Sequence, residues 1–189
     1  MKQIICFLLC FLFVFSLCAC SSGDSDVEHD VDIEYYAKLG KIPECEFALG
    51  ADIDALKKKM EERLSVVESG DHSHGEFAYT FIEGQKTALV DCGVYRYYYY
   101  KDSKAGGVSF IASFEDAYGF KMGDSITEIR KVLKEFDYKE STLNDDNSFF
   151  LNGNAEGVCL SAVFDKYTVN FIFVDNALTA TAIYDGSQW

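Results

Sequence analysis

Phe47-Ala48-Leu49-Gly50-Ala51-Asp52-Ile53-Asp54-Ala55-Leu56-Lys57-Lys58-Lys59-Met60 and Phe120-Lys121-Met122-Gly123-Asp124-Ser125-Ile126-Thr127-Glu128-Ile129-Arg130-Lys131-Val132-Leu133 align without a gap, 73 positions apart. Phe47/Phe120, Gly50/Gly123, Ile53/Ile126 and Lys58/Lys131 are identical, and three further apolar pairs are similar in size. Each copy places a glycine ahead of a helix-cap candidate, Asp52 or Ser125, and then apolar residues at helical spacing. Ile53, Leu56, Met60 and Leu64 fall on one stripe, and Ile126, Ile129 and Leu133 on another. Ser125 and Glu128 have capping-box spacing; the first copy carries Ala55 there and lacks the box. Lys57-Lys58-Lys59 reads as the solvated back of the first helix.

Downstream of each helix lie alternating, aromatic-rich segments, which predict antiparallel strands. They are 77–82, 87–92, 94–100 and 108–114 after the first, and 149–151, 158–164, 168–174 and 178–184 after the second. Turn residues separate them, as at Glu83-Gly84, Ala105-Gly106-Gly107 and Asp175-Asn176. The expectation is an α+β fold: a tandem repeat of a helix followed by about four antiparallel strands, with the helices packed on one sheet face. Residues 40–116 form the first repeat and 117–189 the second, together one composite domain. Without its apolar leader the chain is about 45% apolar, enough for one solid core.

The Gly-x-Ser/Asp-Ile-x-x-Ile/Leu helix start followed by an antiparallel sheet resembles small bacterial lipoproteins of the outer-membrane-assembly type. In tandem it resembles the beta-lactamase-inhibitor-protein-like fold, over residues 45–185. The resemblance implies a noncatalytic module that presents a sheet face or loops to another protein. It transfers no inhibitory or assembly residue, because only the helix starts match.

The N-terminus points the same way. Met1-Lys2-Gln3 is a short positive region, and Ile4 to Leu17 is apolar except for Ser16. Fourteen helical residues rise about 21 Å, too short for a hydrocarbon core of about 30 Å, so residues 1–19 read as a signal peptide. Leu17-Cys18-Ala19-Cys20 resembles the bacterial lipobox, which implies cleavage before Cys20 and a lipid on its sulfur. Cys18 is a poor rival, since Leu17 then stands where a small side chain is needed. Two or more acyl chains make such an anchor stable. The expected location is the cell membrane, lipid-anchored and facing away from the cytoplasm.

Residues 20–39 are expected to be the lipidated cysteine and an acidic tether; Ser21 to Glu34 holds six carboxylates and no Lys or Arg. The whole chain has 17 Lys+Arg against 31 Asp+Glu, a formal charge of −14. That balance excludes nucleic acid as a partner, because phosphate binding needs clustered cations.

Catalytic patterns are absent, and no enzyme is expected. Three histidines are present, His29, His72 and His74, and no Gly-x-Ser-x-Gly elbow accompanies them. Ala105-Gly106-Gly107 is a hairpin turn rather than a phosphate cradle, and no cofactor is implied. Asp71-His72-Ser73-His74-Gly75-Glu76 has the residue types of a Zn²⁺ site, with His72 and His74 on one side of an extended segment. The same residues suit a polar loop. A small-ligand or metal-capturing lipoprotein using His72 and His74 is therefore the alternative function. Cys45, Cys92 and Cys159 allow at most one disulfide, and buried free thiols are the reading adopted.

Tyr95-Arg96-Tyr97-Tyr98-Tyr99-Tyr100 is the candidate binding strand. Alternation places Tyr95, Tyr97 and Tyr99 on one face and Arg96, Tyr98 and Tyr100 on the other. If the first set meets the helix, Arg96, Tyr98 and Tyr100 form a partner-binding face, since Tyr and Arg dominate interface hot spots. Tyrosine also simply suits a half-buried strand. The expected function is a membrane-anchored surface lipoprotein that binds a protein partner noncovalently.

Overall fold

The computed structural model describes residues 31–68, 79–84, 86–101, 107–151 and 156–186. In chain order the elements are α1 (Ile33–Lys38), α2 (Ile53–Glu68), β1 (Thr80–Glu83), β2 (Thr87–Asp91), β3 (Tyr95–Tyr100) and β4 (Val108–Ser113). They continue with α3 (Ile126–Leu133), β5 (Tyr138–Thr142), α4 (Asp145–Ser148), β6 (Gly157–Phe164), β7 (Tyr167–Val174) and β8 (Ala177–Asp185).

Among the described residues, eight strands form one antiparallel sheet in the order β1-β2-β3-β4-β8-β7-β6-β5. This overturns the expected tandem repeat of helix-plus-four-strand units. β4 pairs directly with β8, with Phe110 opposite Tyr184 and Ala112 opposite Ala182, so the two halves share a hydrogen-bonded ladder. The physical reason lies in β4, which is buried along its whole length. As the last strand of a separate unit it would leave an apolar edge unpaired, and pairing with β8 removes that edge.

Both helix starts behave locally as their residues require. Asp52 Oδ1 accepts from the Ala55 amide at 2.8 Å, and Ser125 and Glu128 close a full capping box. Gly50 and Gly123 have φ of 82° and 96°, a region that glycine enters without steric cost. Each start then docks on the central strand pair. Gly50 donates to Val108 O at 2.7 Å and Val108 to Ala51 O at 2.8 Å, while Gly123 and Leu178 make the like bonds at 2.8 Å to Leu178 O and Asp124 O.

The main core lies between the helices and one sheet face. Leu56 and Met60 of α2 and Ile126, Ile129 and Leu133 of α3 are buried there against Val90, Tyr97, Ile111, Phe171 and Ile183. α1 also belongs to this layer and contacts β6 and β7. It falls inside the stretch 20–39 expected as tether, where Ile33–Lys38 is a helix packed on the sheet. Ile33 and Ala37 are buried, and Asp32 caps the helix by accepting from the Tyr35 amide at 2.9 Å. The dense carboxylates around Ile33, Tyr36 and Ala37 masked a short apolar stripe.

The segment expected as a strand at 149–151 is corrected too. The fifth strand is Tyr138–Thr142, a sheet edge whose last four residues are exposed. An edge carrying Lys139 and Glu140 needs no apolar alternation to stay paired, which is why the hydrophobic pattern passes it over. Phe149 and Phe150 instead lie across the second sheet face.

Candidate functional site: the sheet face away from the helices

Register fixes which side chains share this second face. Directly paired residues point the same way in an antiparallel ladder. Ile82 stands opposite Leu89, Leu89 opposite Tyr98, and Tyr98 opposite Phe110. The row continues through Tyr184 to Thr168, with Ala112, Ala182 and Asn170 in the next row. The alternation of β3 is as its sequence requires. Tyr97 is buried in the helix-side core, with its ring edge-to-face on Phe47, while Arg96, Tyr98 and Tyr100 share the opposite face.

That face is only partly open. Leu143, Phe149, Phe150 and Leu151 form a roof over Phe110, Ala112, Cys159, Ile172, Ala180 and Ala182. The Phe110 ring lies 4.8 Å from Phe149 and 5.1 Å from Phe150, centroid to centroid. α4 launches the roof, its start fixed by a capping box between Asn144 and Asn147.

The three β3 side chains meet this roof differently. Arg96 is committed to the interior. Its Nε donates to Asp91 Oδ2 at 2.9 Å, Nη1 donates to the Phe150 carbonyl, and the guanidinium sits 4.7 Å from the Phe114 ring centre. With its side chain 14% exposed, Arg96 clamps β3 to the roof rather than displaying charge. Tyr98 stands at the roof's margin, edge-on to Phe110 at 5.4 Å and to Phe149 at 5.3 Å. Tyr100 lies beyond it, next to Thr87 in the ladder. Burial raises the pKa of both hydroxyls, so both stay neutral donors. Outside the roof the row ends in Ile82, 55% exposed.

Between roof and sheet lies a cavity of about 270 Å³. Its floor is Phe110, Ser161, Asn170 and Tyr184, and its mouth includes Asn144, Asn147 and Phe149. Asn170 is 3% exposed and its Oδ1 has no hydrogen-bond partner. Sequence reasoning missed both roof and cavity. A signal was present in Asp91, which sits opposite Arg96 across the β2–β3 hairpin and marks that arginine as paired.

Among the described residues, Cys45, Cys92 and Cys159 are free thiols. Burial pushes Cys45 up to about 12 and Cys92 up to about 11, and also raises Cys159. Thiols held neutral in this way are poor nucleophiles and poor metal ligands. Cys20, and His72 and His74 with their neighbours Asp71 and Glu76, lie outside the described residues. Among the described residues no three His, Cys, Asp or Glu side chains cluster as a metal site, and no helix is long and apolar enough to cross a membrane. In comparisons with known proteins, the chain matches no family model, no curated protein and no solved structure.

Proposed function

We propose that this protein is a bacterial envelope lipoprotein, anchored through lipid on Cys20, whose folded part binds a partner protein noncovalently. The anchor rests on the Leu17-Cys18-Ala19-Cys20 sequence. The binding role rests chiefly on one observation: Ile82, Leu89 and Tyr98 form an unbroken row across β1, β2 and β3 on the helix-free face, with Tyr100 and Thr87 beside it. Among the described residues the roof stops at Tyr98, and this end of the face offers apolar and tyrosine surface next to a sheet edge. Such surface gains most from association, because aromatic side chains bury large area with few torsions to freeze. Arg96 leaves the contact set and serves to hold the strand under the roof.

A photo-crosslinking amino acid at 82 or 100, in cells producing the lipidated protein, tests this reading. The expected result is one discrete adduct from both positions and none from position 139 on the opposite edge strand. The same adducts from all three positions, or none from 82 and 100, would reject the face. Cys20→Ser separately tests the anchor. It should leave the precursor uncleaved or release the protein from membranes, and carbonate-resistant membrane association of the variant would reject lipid on Cys20.

A further inference from the structure

We infer that the roofed cavity is a second, independent binding site, for a single neutral hydroxyl-bearing ring with the chemistry of a monosaccharide. Asn170 carries the argument furthest. Ile172 and Ala182 on the same face are apolar, Ser161 stands directly opposite Asn170, and the amide is hydrogen-bonded with Tyr184, which leaves only its carbonyl oxygen over. A buried amide with an unpartnered carbonyl costs stability. Its place at the floor of a cavity supplies the compensation: a hydrogen-bond donor that arrives with the ligand. The other buried oxygen without a partner, Thr181 Oγ1, lies opposite Phe171 on the helix side of the sheet and does not line this cavity.

The remaining walls narrow the ligand class. Phe110, Phe149 and Tyr184 provide aromatic surface for C–H groups, while Ser161 and Asn147 provide neutral polar groups. No Lys, Arg or His lines the cavity, and its one charged residue is Asp146, whose carboxylate accepts from hydroxyl groups; with the chain's charge of −14 it opposes anions, so carboxylates and phosphates have no counter-charge. At about 270 Å³ the space falls below the roughly 300–1,000 Å³ of sites for drug-sized ligands. It suits one ring. The mouth on α4 leaves room for that ring to be a free sugar or the terminal unit of a chain.

The test uses the full-length protein in a detergent without a sugar headgroup. It is titrated with glucose, N-acetylglucosamine and myo-inositol, with the β-1,4-linked dimer of N-acetylglucosamine as the chain-end probe. Saturation-transfer NMR and calorimetry give the readout. At least one probe should bind saturably, and succinate and phosphate should not. Binding of the dimer alone assigns the ligand as a chain terminus. Asn170→Leu should weaken binding at least about tenfold, and the melting temperature is read alongside, since the change removes the unpartnered carbonyl and also the amide's hydrogen bond with Tyr184. Ser161→Val, directly opposite Asn170 in the β6–β7 ladder, fills the floor while keeping the Asn170 amide and should abolish binding; it decides the matter if Asn170→Leu does not fold. No saturation by any of the four neutral probes at about 50 mM, or unchanged affinity in either folded variant, overturns the site.

Discussion

The two faces of this sheet are covered by different means. On the helix side, α1, α2 and α3 lay continuous apolar stripes on the sheet, and the interior residues are almost entirely hydrocarbon. On the other side, a nine-residue stretch, Leu143 to Leu151, covers the middle of the sheet and leaves one end bare. There the contacts are mixed: aromatic rings, a buried arginine, serines and an amide with an unpartnered carbonyl oxygen. A face packed mainly by hydrocarbon, with Ser113 and Thr181 as buried polar residues on it, is suited to stability. A face that keeps polar groups under a small roof is suited to taking up something else.

The largest expected effect lies on the helix side. Leu56→Ala and Ile129→Ala each remove a fully buried side chain and should each cost about 2–5 kcal/mol in denaturant unfolding. Losses below about 0.5 kcal/mol at both sites would mean that the two faces do not differ in this way. On the roofed side, Arg96→Met keeps the apolar stem but breaks the bonds to Asp91 and the Phe150 carbonyl. A loss of about 2 kcal/mol is expected, because it strands Asp91 and a carbonyl under partial cover. A double-mutant cycle with Asp91→Asn should show coupling, and additive losses would remove the clamp from the account.

The difference between the faces also explains how much the sequence revealed. Helix stripes repeat at a fixed period and start at recognisable caps, so Leu56, Met60, Ile129 and Leu133 could be assigned to the core from spacing alone. Strand alternation likewise sorted Tyr97 from Tyr98. What spacing does not encode is which strand edges meet. The likeness between residues 47–60 and 120–133 suggested a tandem repeat of a helix and about four strands within one composite domain, whereas the pairing of β4 with β8 made one eight-stranded sheet. The roof was illegible for a related reason. Phe149 and Phe150 have the composition of a strand, and only the backbone path after α4 turns them across the sheet. Asn170 reads as an ordinary polar residue in an apolar strand until a cavity is found above it.

Alkaline pH offers a smaller perturbation, largest on the helix side where Cys45 and Cys92 lie, although burial also raises Cys159 on the roofed face. An unfolded thiol ionises near 8.5, but Cys45 does so only at about 12 and Cys92 at about 11. Rising pH therefore draws protons from the unfolded chain first. The stability held by these neutral thiols is complete below about pH 8.5 and is lost as pH climbs toward 12. Between pH 8 and 9 a loss of about 1 kcal/mol is expected for the pair, with the half-buried Cys92 contributing the lesser share. Cys45→Ala and Cys92→Ala together should flatten that slope. An unchanged slope in the double variant would place the titration elsewhere.

The smallest effect on stability belongs to Tyr100, and it bears most directly on function. Tyr100 lies on the same face as Tyr98, beside Thr87 in the ladder, and is half-buried. Tyr100→Ser should cost less than about 1 kcal/mol, since the side chain is only half-buried. If the bare end of the face is where a partner sits, the same change should remove the adduct formed from position 82, because a central aromatic contact accounts for a large share of binding energy. Tyr98→Ser cannot make this separation, since it disturbs the roof as well. Two outcomes would break the comparison between bare and covered surface. One is a stability loss at Tyr100 of 2 kcal/mol or more, which makes it a packing residue. The other is an undiminished adduct from position 82 in a Tyr100→Ser protein of normal stability, which puts the partner's contacts on Ile82 and the β1 edge alone.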